Sequence, residues 1–210
     1  MLGPLGKGED PKKDSGTTPP KTTTGYNGGG TGGNGTKGTG KAESNIAPSP
    51  TKVNYGDHFT KEKRQKVLKP NVEYTTPSGH TYKTDYKGRI ISAEGNLKLG
   101  NEKRNNHAQR VSGRKDRRKT DEGGHLIASI FEGSGGLDNL VPMDGNLNKG
   151  EWKKLETMWA KQLDKGRSVE VNIKPIYKGD SQRPDSFEII QVVNGKRLSP
   201  VKFKNNPGGK

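Results

Sequence analysis

His125 is the residue of this chain whose setting best suits proton transfer. It follows Asp121-Glu122-Gly123-Gly124 and opens Leu126-Ile127-Ala128-Ser129-Ile130-Phe131, the most apolar run in the sequence. Two glycines let the backbone approach a neighbour closely, with no side chain between them. An imidazole placed there sits at the rim of a core, partly exposed and firmly held. Its ordinary pKa of about 6.5 suits a general base near neutral pH. The other histidines, His58, His80 and His107, stand in polar, turn-like or basic stretches and read as surface residues. Downstream, Asn139, Asn146 and Asn148 gather at the approach to a helix. Asparagine serves caps and turns, and Asp144-Gly145 fits that use. Its side-chain oxygen also ligates hard cations, and Mg²⁺ commonly takes one or two protein ligands and keeps its waters. Cysteine is absent and no histidine cluster has zinc spacing, so a structural zinc is not expected.

Several elements must position these groups. Residues 147–163 read as a helix, because Trp152, Leu155, Trp159 and Leu163 form one apolar stripe. The two tryptophans are expected in the core rather than stacked on a ligand. Asp164-Lys165-Gly166 ends the helix. His80–Asp85, the Lys87-Gly88 turn and Arg89–Ala93 read as a β-hairpin, Val169–Ile173 as a half-buried strand, and Ser186–Val193 as a further strand before the Asn194-Gly195 turn. The apolar run 125–131 reads as a buried strand. Thr60 reads as the cap of a short helix over Lys61–Leu68, ended by Pro70. Together these predict an α+β fold.

Composition narrows the class of protein. Of 210 residues only 25% are hydrophobic, and 38 Lys and Arg against 23 Asp and Glu give a net charge of +15. No run approaches the roughly 18 apolar residues of a membrane span, so membrane insertion is not expected. Met1–Lys7 lacks the apolar core of a signal peptide. Residues 1–50 hold 13 Gly and six Pro with few apolar side chains. Such a segment cannot offset the entropy of ordering its backbone. Residues 1–52 therefore read as a flexible Gly/Pro/Thr/Lys-rich linker, either a tail or the tether to an upstream domain, and 53–210 as the folded domain. The positive charge lies almost entirely after residue 50. Nine Lys and Arg fall between Lys98 and Lys119, against Glu102 and Asp116. The excess points to a polyanion or an acidic protein.

Three motifs then match a family. Asp-x-Gly-Gly-His-Leu-Ile-Ala, Asn-Leu-Val-Pro-Met-Asp and Leu-Asn-x-Gly-x-Trp-x-x-Leu-Glu follow in order over residues 121–156. The set resembles the DNA/RNA non-specific endonucleases, ββα-metal (His-Me finger) enzymes. It is most similar to the C-terminal nuclease domains of LXG-type polymorphic toxins of type VII secretion. The resemblance covers about residues 70–205. It implies a ββα-metal fold with an antiparallel sheet and a metal-site helix. It implies His125 as general base, Asn148 as the single protein ligand of a catalytic Mg²⁺ (with Mn²⁺ open), Glu156 holding metal-bound water, and Asn139 ordering the site. On an ideal helix Asn148 and Glu156 would stand roughly 12 Å apart along the axis and about 80° apart around it, which suits Glu156 acting through water.

One position departs from the family. Better-known members have Asp-Arg-Gly-His, and Gly123 stands where their phosphate-binding Arg would be. Arg89, Arg114, Arg117 and Arg118 are the candidates to supply that charge. Asp121 is expected to be a structural hydrogen-bonding acid, with Gly123 and Gly124 structural beside it. The implied function is metal-dependent, sequence-non-specific hydrolysis of DNA, with RNA open, by the toxin domain of a secreted antibacterial effector acting in the target-cell cytoplasm. A cognate acidic immunity protein is the expected partner. The competing reading is a non-catalytic basic module that binds nucleic acid.

Overall fold

Alternating apolar and polar residues build most of the scaffold. The computed structural model describes residues 49–210. The linker expected over 1–52 lies almost wholly outside the described residues, but Thr51–Lys52 (β1) already pairs in parallel with Val72–Thr75 (β4), so ordered chain begins before position 53. Beyond β4 the main sheet is antiparallel. It runs through Thr81–Thr84 (β5), Ile90–Asn96 (β6), Val169–Tyr177 (β9) and Pro184–Val193 (β10) to Lys196–Arg197 (β11), and Val201–Lys204 (β12) also pairs with β10. The predicted hairpin is β5–β6, and the two predicted later strands are β9 and β10. Strict alternation buries Val169, Val171 and Ile173 on one face of β9 and leaves Glu170 exposed.

Two expectations are corrected. Residues 61–68 are not helical: Phe59–Glu62 (β2) and Gln65–Leu68 (β3) form an antiparallel hairpin that pairs with no other strand. The buried strand is not the apolar run 125–131 but the polar, glycine-rich segment before it, Asp121–His125 (β7). Leu126–Phe131 follows as a turn and a short 3₁₀ segment whose apolar side chains plug the core.

β7 pairs antiparallel with Leu140–Asp144 (β8), Asp121 opposite Asp144 and His125 opposite Leu140. Asp144 then caps the turn Gly145–Leu147 (α2), accepting from Asn146 N and Leu147 N. One wide, π-type turn over Asn148–Trp152 leads into the helix Lys153–Asp164 (α3). This β–β–α unit carries the site. The short helix Asn106–Val111 (α1), capped by Asn105, packs beside β7. Trp152 and Trp159 are both 1% exposed, as expected of core residues. Trp152 meets Phe187 edge-on at 5.0 Å, and the Trp159 indole N–H donates to Gln191 Oε1 at 2.7 Å. His58 and His80, expected on the surface, are buried. His58 stacks on Tyr74, and burial pushes both imidazoles below their usual pKa.

Candidate active site

The path of β7 is dictated by what its glycines touch. A Cβ on Gly123 would lie 2.5 Å from Gln109 Cα in α1, and one on Gly124 would lie 2.8 Å from Met143 Cβ in β8. Position 123 therefore has no room for any side chain. That is the physical reason an Arg cannot stand two residues before this histidine. Asp121, at the other end of β7, is buried. It accepts from Arg183 at both oxygens, at 2.7 and 2.8 Å. Arg183 also donates to Asn205 O, and Asn205 holds Asp144 N and Pro142 O. The β7–β8 pair is thus pinned from the end of the fold.

Asn139 does not line the catalytic cleft. Its Oδ1 accepts from Tyr82 Oη and Ile127 N, and its Nδ2 donates to Ile127 O and Ser134 O. All of its bonding capacity ties the segment after His125 to the main sheet. Its place is that of a positioning residue, not of a group that touches substrate.

A cavity of about 590 Å³ brings His125, Asn148, Glu156 and Glu122 together. The regular winding assumed between Asn148 and Glu156 is interrupted. The wide turn at 148–152 and the non-helical Gly150 (φ −98°, ψ −105°) break the regular winding. Both residues line one cavity.

Asp121 and Glu122 both sit near the motif's acid position, and of the two it is Glu122, not the favoured Asp121, that lines the cavity. The Glu122 carboxylate accepts from Asn148 Nδ2 at 2.9 Å and pairs with Lys149. Burial pushes this carboxyl up, but the bonds from Lys149 and Asn148 outweigh it and leave it below its usual value. Its presence between Asp121 and the glycines was visible in sequence; its partner, 26 positions away, was not. Glu156 is buried and its pKa is raised by that burial, with Lys153 at 3.3 Å pulling the other way.

His125 is half-buried, and its Nε2 is screened from solvent with no hydrogen-bond partner among the described residues. Burial first, then the Arg104 charge, lowers its pKa from 6.5 to about 4. The ring is neutral at physiological pH, as a base must be. If His125 is the base, kcat/KM should stay flat as pH falls from about 7 to about 5 and drop only towards 4. A pH–rate profile with its acid limb at the ordinary histidine value would show that burial does not depress this imidazole in the working protein.

Of the four arginines proposed to bind phosphate, only Arg117 lines this cavity. Its guanidinium also donates to Gln109 O and Asp121 O. Arg89 is buried in an ion pair with Asp85, donates to Gly179 O and Ser181 O, and packs over Tyr177. That network leaves it no reach to the cleft. Arg114 donates to Lys66 O and faces a different cavity, and Arg118 is exposed outside both. The cavity instead adds Arg104, Arg110, Lys149 and Lys153. Asn106, Gln109 and Arg110 recur at i, i+3 and i+4 of α1, which was the missed signal for one helical face.

The donor set fits a hard cation. With Nδ2 bound to Glu122, Asn148 Oδ1 is left without a protein partner among the described residues. A neutral amide oxygen flanked by two carboxylates suits an ion that keeps most of its water. No cluster of three or more His, Cys, Asp or Glu able to hold a metal occurs among the described residues, so a closed protein cage does not fit.

Comparison with known proteins converges on the same region. Type VII secretion system protein EssD of Staphylococcus aureus is 45% identical over 158 residues, covering 72% of this chain and 26% of the relative. Probable deoxyribonuclease RhsA of Dickeya dadantii is 24% identical over 121 residues, covering 56% of this chain and 8% of that protein. The chain thus spans at most about a quarter of the length of these curated relatives. The solved structure titled "Structure of Sda1 nuclease with bound zinc ion" shares the fold, with a TM-score of 0.50 and 17% identity over 61% of this chain and 76% of that one. The family model described as DNA/RNA non-specific endonuclease matches residues 70–195, a span that holds His125, Asn148 and Glu156. This chain belongs to the DNA/RNA non-specific endonuclease family.

Proposed function

We propose that the domain hydrolyses phosphodiester bonds of DNA, with RNA open as a second substrate, without sequence preference and with Mg²⁺ or Mn²⁺ at Asn148. One observation carries this reading: a neutral imidazole, a free amide oxygen, two carboxylates and five cationic side chains line one cavity. The His125 imidazole accepts a proton from the attacking water, which adds to phosphorus in line with the departing 3′ oxygen. Arg104, Arg110 and Arg117 hold the phosphate oxygens and neutralise charge as it develops. Glu122 fixes the rotamer of Asn148, and Glu156 accepts hydrogen bonds from water in the cleft. The divalent ion, when bound, supplies Lewis acidity to a phosphoryl oxygen and the leaving group. The basic surface adds affinity that ignores sequence and falls with salt.

The similarity to a type VII secretion protein and to a probable deoxyribonuclease supports DNA as substrate and delivery as the toxin part of a secreted effector acting in a target-cell cytoplasm. An acidic immunity protein over the cleft would complement its charge. The test is incubation with supercoiled plasmid and with RNA. Wild type should nick both in Mg²⁺, lose activity in EDTA and regain it with Mg²⁺ or Mn²⁺. Asn148→Ala should stay inactive at metal concentrations that saturate wild type. Binding without cleavage in every metal would mark the domain as a non-catalytic module. Cleavage that survives EDTA would remove the metal from the mechanism.

A further inference from the structure

The β2–β3 hairpin spends stability on positive charge. Its two-residue turn is Lys63-Arg64, with φ of 44° and 66°. Both residues lie in the left-handed region, where Asn-Gly is the favoured pair and long side chains are disfavoured. Directly across the strands Lys61 faces Lys66, and like charges so placed repel. Every residue from Thr60 to Lys66 is exposed, and the arm pairs only with itself. Local rules broken together at an exposed turn point to a functional surface.

Beneath the arm lies a second cavity of about 510 Å³, distinct from that of His125. Tyr55 and Phe59 supply aromatic faces, and Arg64, Lys66 and Arg114 supply charge. Tyr55 rests one face on His58 and is 43% exposed. The one acid in the lining, Asp138, accepts from the Tyr55 and Ser134 hydroxyls. Helix α1 is the shared wall: His107, Ala108 and Val111 line this cavity, while Asn106, Gln109 and Arg110 line the catalytic one. A polymer leaving the His125 cleft over α1 enters directly between arm and helix.

We propose that the arm and this cavity form a second nucleic-acid subsite. Lys63, Arg64 and Arg114 take backbone phosphates of the strand that extends beyond the scissile bond, and the exposed face of Tyr55 stacks on one of its bases. An exposed tyrosine face beside cations favours a nucleic acid over an acidic protein, because every base has a face to stack and each link a charge to pair. The inference rests on the nuclease reading above.

The test is the double substitution Lys63→Asn with Arg64→Gly, which installs the preferred turn. The variant should melt at or above the wild-type temperature. Its KM for long DNA should rise about tenfold with kcat unchanged, and the log–log salt slope of binding should fall by about 2, one per lost phosphate contact. A tetranucleotide, too short to reach the arm, should be cut by both proteins alike. Fluorescence anisotropy on a labelled oligonucleotide in EDTA reads the same slope without cleavage. Wild-type KM and salt slope in a folded variant would overturn the proposal, as would weakened binding of an acidic inhibitor with DNA affinity intact. Failure of wild type to cut any substrate would instead count against the nuclease reading, with anisotropy still deciding the arm.

Discussion

His125→Ala is expected to lower kcat/KM on plasmid DNA by about 10²- to 10⁴-fold, the range general-base groups supply. The fold and the affinity for DNA should survive. The reason is local. His125 Nε2 makes no hydrogen bond to the protein among the described residues, so its removal breaks none from that atom. The cations proposed to hold phosphate, Arg104, Arg110 and Arg117, stand on α1 and its flanks rather than on β7. Anisotropy in EDTA should therefore give wild-type affinity. Stability against pH offers a second reading. Because burial lowers the His125 pKa from 6.5 to about 4, the folded state favours the neutral ring. That contribution is fully present above 6.5 and is lost as pH falls towards 4. His58 and His80 are lowered in the same direction, so the wild type should soften below neutral pH through all three. The variant should soften less. Full activity in a folded His125→Ala protein would remove this residue from the mechanism.

Asp121→Ala should destabilise the domain by about 3–5 kcal/mol, the cost of leaving a buried charge unpaired. The side chains of Asp121 and Arg183 are 0% and 7% exposed, and two bonds join them. Without the carboxylate, the guanidinium keeps only the carbonyls of Asn205 and Pro184. Urea denaturation should show the midpoint fall. Removing both partners at once, as Asp121→Leu with Arg183→Met, should cost much less, because no orphaned charge remains. A small loss in the single variant would mean that water reaches Arg183. Activity should fall with the stability of β7 in the single variant, since His125 ends that strand.

The legible parts of the fold were those in which one period dominates. Strands β9 and β10 alternate, α3 carries an apolar stripe, and Lys87-Gly88 and Asn194-Gly195 are turns of ordinary chemistry. The basic hairpin was misread as a helix because its turn is Lys-Arg and its strands hold Lys, Glu and Gln, which favour helices locally. The apolar run after His125 was misread as a strand because burial was equated with pairing. Its chain turns at Asn139's hydrogen bonds instead. His58 and His80 were hidden by polar neighbours in sequence, since what buries them, such as Tyr74 and Gly95, comes from other strands. In the cleft, His125, Asn148 and Glu156 were readable from motif. Glu122 and the Arg104–Arg110 cations required three-dimensional pairing, and Arg183 lies 62 positions from the acid it neutralises.

That last separation has a consequence for timing. Asp121 waits for Arg183, and Pro142 and Asp144 wait for Asn205, across 61 to 63 residues. Contacts this distant form late. A ribosome that has released residue 150 has already made His125, Asn148 and the strands that hold them, yet the clamps for those strands are still to come. The β7–β8 pair is therefore clamped only after the segment that carries Arg183 and Asn205 has been made.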